Sequence, residues 1–132
     1  MEVAKPWNEQ SPQPVVTPPG KGDWFYARSW SPDGRKLAGS LGGALGTYSL
    51  ESGKLERLAD SGGHSVWLAD SRRLLFPDQG KLYLIDSESR KPREILSVAP
   101  HDMSTPSLSR DNRMMYFSVG MTEADIWLAT IE

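Results

Sequence analysis

The 132-residue chain has no cysteine, which excludes a disulfide framework and any thiolate metal site while suiting cytosol and periplasm equally. No apolar run approaches the roughly 18–20 residues that a membrane-spanning helix needs, and Met1 to Gln10 has neither the basic start nor the apolar centre of a signal peptide. Charge of one sign is missing too. Fifteen basic and 17 acidic residues are scattered along the chain for a formal net charge of −2, so nothing advertises nucleic acid or an anionic membrane. No stretch has convincing helical period. At this length one core, or part of one, is the most the chain can hold, and a second catalytic domain has no room.

What is there is punctuation. Five of the ten prolines, Pro6, Pro12, Pro14, Pro18 and Pro19, fall in the first nineteen residues, so residues 1–22 read as an extended arm with one short candidate strand at Val15-Val16-Thr17. From Asp23 onward, short apolar runs alternate with Gly, Ser, Asp and Asn, the texture of an all-β chain.

The run is also self-similar. Trp30-Ser31-Pro32-Asp33-Gly34-Arg35-Lys36-Leu37, Trp67-Leu68-Ala69-Asp70-Ser71-Arg72-Arg73-Leu74 and Leu108-Ser109-Arg110-Asp111-Asn112-Arg113-Met114-Met115 align without gaps. Each places a large apolar residue three before an Asp and an Arg two after it. Asp33, Asp70 and Asp111 are 37 and 41 residues apart, close to the roughly 40–45 residues of a four-stranded propeller blade. After each Asp come an apolar strand, a polar or Gly-containing turn, and a strand with one aromatic: Tyr48, Tyr83 or Trp127. The first two units add a tight turn and a more polar strand, at Leu55 to Leu58 and Arg93 to Leu96. The spacing predicts strands a, b, c and d in order, with d outermost, over units at about 23–60, 61–98 and 99–132. The third lacks its d strand.

The repeated Asp has a physical reason to be there. Its carboxylate can accept backbone amides in the a-to-b turn, and Gly, Ser or Asn after it suits tight-turn geometry. Arg35, Arg72 and Arg113 stand beside it as candidate ion-pair partners, each contributing about 0–1 kcal/mol at an exposed site. Trp30, Trp67 and Trp127 fall at repeat positions that predict core packing; Trp7 and Trp24 lie outside that pattern, and Trp7 is a candidate partner anchor.

The Ser-Pro-Asp-Gly-Arg-Lys-Leu stretch at 31–37, its two degenerate copies and the ending Glu123-Ala124-Asp125-Ile126-Trp127-Leu128 resemble the TolB-type, WD40-like β-propeller repeats over about residues 14–132. Ala69 and Arg110 depart from the pattern, which has proline there, and no Trp-Asp dipeptide is present. The resemblance implies an open arc of about three blades from a propeller, in a periplasmic or extracytoplasmic setting. It implies either a non-catalytic module for protein or ligand binding, or the propeller tail of an enzyme or receptor. The family's contexts include the periplasmic Tol-Pal component, prolyl-oligopeptidase-like peptidases and the C-terminal sensor-like regions of bacterial serine/threonine kinases, to which the ending is most similar.

Leu74-Leu75-Phe76 and Leu82-Tyr83-Leu84-Ile85 send apolar side chains to both faces of one sheet, because neighbours along a strand alternate sides. Both faces need cover, and a closed ring takes about four to eight blades. Burying about 400 Å² of apolar surface at a bare end is worth roughly 10 kcal/mol, as much as the ~5–15 kcal/mol stability of an ordinary domain. The expected partners are therefore the remaining blades of a longer propeller, a protein partner, or a second copy giving six blades.

Catalytic and metal chemistry find little support. His64 and His101 fall in d-to-a connectors with no third His or Cys and no His-x-x-x-His spacing. The Gly39-Ser40-Leu41-Gly42-Gly43-Ala44-Leu45-Gly46 run lacks the helix and the Lys-Ser/Thr pair of a phosphate loop; it reads as a flexible b-to-c connection. No Gly-x-Ser-x-Gly elbow is present. The sequence predicts no enzyme activity, no cofactor and no metal in this chain.

Overall fold

In the computed structural model, the described residues are Pro6, Asn8 and 24–121. They form antiparallel β-structure. The first unit is a four-stranded sheet, β1 (Phe25–Trp30), β2 (Lys36–Leu41), β3 (Ala44–Ser49) and β4 (Leu55–Gly62), hydrogen-bonded in that order. A second sheet repeats the plan with β5 (Val66–Trp67), β6 (Arg73–Asp78), β7 (Lys81–Asp86) and β8 (Pro92–Ser97). Neither sheet closes on itself, and each last strand is an edge.

A third unit starts the same way. β9 (Asp102–Met103) pairs with β12 (Val119–Gly120), and β10 (Ser107–Leu108) pairs with β11 (Met115–Tyr116). Ser104 and Ser118 join the two pairs, the Ser104 amide donating to the Ser118 carbonyl and the Ser118 amide to Ser104 Oγ. Together they make one bent hairpin. Its first arm carries one more residue than its second, which bends it as a β-bulge does. Strand β1 has its register shift in the same arm, between Ala27 and Ser29. The predicted strand at Val15-Val16-Thr17, and the third aromatic strand with Trp127, lie outside the described residues.

The b-to-c hairpins turn on two residues each. Gly42 and Gly43, and in the second sheet Gln79 and Gly80, all have positive φ, as the type I′ turn favoured by twisted hairpins requires. The glycine run is therefore not a flexible connection, because only Gly42-Gly43 turns. Gly39 and Gly46 are opposite each other inside β2 and β3. A Cβ on Gly39 would collide with the Tyr26 carbonyl, and one on Gly46 would press on Leu41. Gly39 serves close approach of the bulged β1 backbone, and Gly46 makes room for the Leu41 side chain.

The core lies between the first two sheets. Ala38, Leu45 and Leu58 of the first meet Trp67, Leu74, Phe76 and Ile85 of the second. The Phe76 and Tyr83 rings stack at 5.3 Å. Leu75 and Leu82, on the opposite face of the second sheet, are buried as well. This is the two-faced burial that alternation demands of a central layer.

Leu74 is fully buried, whereas Ile95 on β8 is 44% exposed. Leu74→Ala should lower unfolding stability by about 2–5 kcal/mol, and Ile95→Ala should stay within about 0.5 kcal/mol of the parent. Urea denaturation of the two variants checks this, and equal losses would contradict the placement of the core.

Candidate functional site

The Asp-containing turns share one bond, from the amide of the Arg two residues on, and the first and third match throughout. In the first, Asp33 Oδ1 accepts the Arg35 amide at 3.0 Å and the Ser31 hydroxyl at 2.6 Å, while Ser31 Oγ accepts the Lys36 amide at 2.9 Å. In the third, Asp111 Oδ1 accepts the Arg113 amide at 3.1 Å and the Ser109 hydroxyl at 2.7 Å, and Ser109 Oγ accepts the Met114 amide at 2.9 Å. The second turn has Leu68 in place of that serine. There Asp70 Oδ1 takes two amides, from Arg72 and Arg73, at 3.0 Å each.

Hydrogen bonds to the charged form favour it. The Ser31 hydroxyl and the Arg35 amide hold Asp33 below the ordinary carboxylate range, and the Ser109 hydroxyl and the Arg113 amide do the same for Asp111. Burial pushes Asp70 up, but its bonds from Arg73 and Arg72 outweigh that and leave it lowered.

Among the described residues, none of the expected ion pairs of Arg35, Arg72 and Arg113 with the repeat Asp is formed, and the second unit pairs differently. Arg73, one residue later than expected, pairs with Asp70 through Nε at 2.6 Å. Arg72 instead makes a two-pronged bond to Asp86 at the end of β7, Nε to Oδ1 at 3.0 Å and Nη2 to Oδ2 at 2.8 Å, and reaches Glu88 at 3.1 Å. Arg72 and Arg73 are neighbours at a strand start, so they emerge on opposite sides, and only one faces the turn. Arg35 and Arg113 serve their turns through backbone amides.

Successive turns are also tied to one another. Gly34, Ser71 and Asn112, each following its Asp, all have positive φ. Ser71 Oγ accepts the amide of Asp33 from the preceding unit at 2.9 Å, and Asn112 Oδ1 accepts the amide of Ala69. Gly34 has the same backbone but no side chain to accept with.

The repeat tryptophans part company. Trp67 is 4% exposed, covered by the first sheet, whereas Trp30, at the same repeat position, is 59% exposed. The expectation that both pack in a core therefore fails for Trp30. It sits opposite Leu37 on the outer face of the first sheet, where no described unit lies against it. Leu108, the third anchor, is half-buried, and Met114 and Tyr116 beside it are exposed. Trp127 lies outside the described residues. Sequence periodicity gave no signal for this split, because it assigns a place within a unit and not a neighbour.

Between the second and third units runs an open cleft of about 380 Å³. His64, Asp78, Gln79, Asp102 and Met103 are among its lining residues, and Asp78 is engaged by the Ser61 hydroxyl at 2.8 Å. Among the described residues no group of three or more His, Cys, Asp or Glu is arranged to hold a metal. No helix among them is long and apolar enough to cross a membrane. No family model matches the chain, and no curated protein matches it.

The Arg72 guanidinium, with the amides of Glu88 and Ser89, holds the Asp86 carboxyl down from an ordinary 3.8 to about 2. A depressed folded-state pKa stabilises the fold above pH 3.8, and that contribution is lost as pH falls toward 2. Carboxyl-detected NMR should find the Asp86 midpoint near 2, moving up toward 3.8 in Arg72→Ala. An unmoved midpoint in that variant would remove the guanidinium as its cause.

Proposed function

We propose that this chain is a non-catalytic repeat module for protein or ligand binding and scaffolding, built from propeller-type blades that work inside a larger assembly. The observation that carries the reading is the exposure of Trp30 beside the burial of its repeat equivalent Trp67. Trp67 is covered by the first sheet, whereas no described sheet covers Trp30. Trp24 and Tyr26, near it in the chain, are exposed as well, and clustered exposed aromatics support an interaction face.

The 37- and 41-residue spacing, the shared acceptance of the Arg amide by the turn Asp and the directed ties between turns support stacking of like units. In the same reading, the occupant of the outer face is another blade, supplied by a second copy or by the rest of a longer protein. The Asp turns are structural in this account, since their carboxylate bonds go to their own backbone amides and neighbouring side chains.

Sedimentation equilibrium on the 132-residue chain tests the reading. The expected result is a reversible oligomer whose association is weakened at least about tenfold by Trp30→Lys, because that places a charge in a desolvating contact. Far-ultraviolet circular dichroism of the variant should be unchanged. A stable parent monomer that binds no blade-bearing partner would refute the proposal.

A further inference from the structure

The interface between the first two sheets has two unlike sides. Its front side, on the second sheet, carries Trp67, Leu74, Phe76 and Ile85, and its rear side, on the first, carries Ala38, Leu45 and Leu58. The repeat register extends both sides to the ends of the described stack. Trp30 pairs with Leu37 as Trp67 does with Leu74, and Ser107 pairs with Tyr116 as Ser29 does with Ala38. By alternation, Trp30 and Leu37 stand on the front face of the first sheet, and Tyr116, with Met114 two residues before it, on the rear face of the third unit. Trp30, Met114 and Tyr116 are all more than half exposed. The described units therefore end in one open front and one open rear.

Side-chain size is reversed between the interior and these ends. At the interior interface the front is the large side, bearing the stacked Phe76 and Tyr83 rings, and Ala38 on the rear is small. On the open front the positions of those rings are Gly39 and Gly46, paired with each other as the rings are. A Cβ on Gly39 would meet the Tyr26 carbonyl and one on Gly46 the Leu41 side chain, so the first sheet cannot carry rings there. On the open rear the position of Ala38 is taken by Tyr116. Two fronts together have no large side chain besides Trp30, and two rears have no small one. Front on rear restores a large side against a small one, as close packing requires.

We propose that the open front of the first sheet is a docking face for the open rear of the third unit of a second copy, head to tail. The inference rests on the reading of these units as stacking blades and narrows the occupant of the Trp30 face to one surface. The contact continues the interface already present between the first two sheets and differs from it in the turns. Inside the stack the Asp33 amide donates to Ser71 Oγ and the Ala69 amide to Asn112 Oδ1. The next donor in the series is the amide of the exposed Arg110, and its counterpart on a second copy is Gly34, which has no side chain to accept. The contact between copies therefore lacks the tie of the internal turns and is weaker for it.

Sedimentation equilibrium of the full chain reads the order of the faces. Trp30→Lys and Tyr116→Lys should each weaken association at least about tenfold. Their equimolar mixture should associate at least about tenfold more tightly than either alone, because one chain then offers an intact rear and the other an intact front. Met114→Lys replaces Tyr116→Lys if the latter loses the parent circular dichroism spectrum. Gly34→Asn should tighten association about threefold to tenfold by supplying the missing acceptor, and Gly34→Ala should not. Asparagine adopts the left-handed backbone found there, and a Cβ would meet nothing nearer than Trp30 Nε1 at 3.8 Å. A mixture no tighter than its components, a rear-face variant that associates like the parent, or Gly34→Asn no tighter than Gly34→Ala would each overturn the inference. Weakening by Trp30→Lys alone would overturn it while leaving the stacking reading in place with another occupant, as would a monomeric parent that binds a different blade-bearing protein.

Discussion

A β-sheet with apolar side chains on both sides has to be covered twice, and the rest of this molecule follows from that. The second sheet meets the condition: Leu74 and Ile85 are sealed on one side, Leu75 and Leu82 on the other. The first sheet, among the described residues, has another sheet against one face only. Its inner face supplies Ala38, Leu45 and Leu58 to the shared core, while its outer face leaves Trp30 to solvent. Equivalent repeat positions thus differ in burial, because burial is a property of the stack and not of the unit.

Much of this was legible in the sequence, and the reasons are local. The gapless alignment around Asp33, Asp70 and Asp111 located three turns, since a short carboxylate next to a residue tolerant of positive φ satisfies its backbone within a few residues. Strand order followed from the same punctuation. Long-range features escaped. The close approach of Tyr26 to Gly39 depends on a register shift in a different strand, so the glycines looked like a loosened connection rather than a tight one. The pairing of Arg72 with Asp86 joins residues fourteen apart across a hairpin, where the nearest acid in sequence is Asp70. The exposure of Trp30 could not be read from its resemblance to Trp67, because it is decided by which sheet lies alongside.

The seam between the first two sheets shows how the stack tolerates charge. Arg90 reaches from the second sheet's turn to Glu56 on the first, which the Lys54 and Arg90 bonds hold below the ordinary carboxylate range despite some burial. Charges confined to the rim leave the centre of the interface to close-packed Leu, Phe and Trp side chains, where paired ions contribute little after desolvation. The positions that look inward on β2 and β3 therefore change from lysine and serine at one end to alanine and leucine further along.

The ties between turns have a sense of direction. Each one runs from an amide of the earlier turn to a side chain of the later one, first Asp33 to Ser71, then Ala69 to Asn112. The receiving residue must do two things at once, accept a hydrogen bond and sit in the left-handed region, as Ser71 and Asn112 do here. Gly34 satisfies the backbone alone. The described turns thus run in one sense like a row of hooks and eyes, and the first of the three is sewn without an eye.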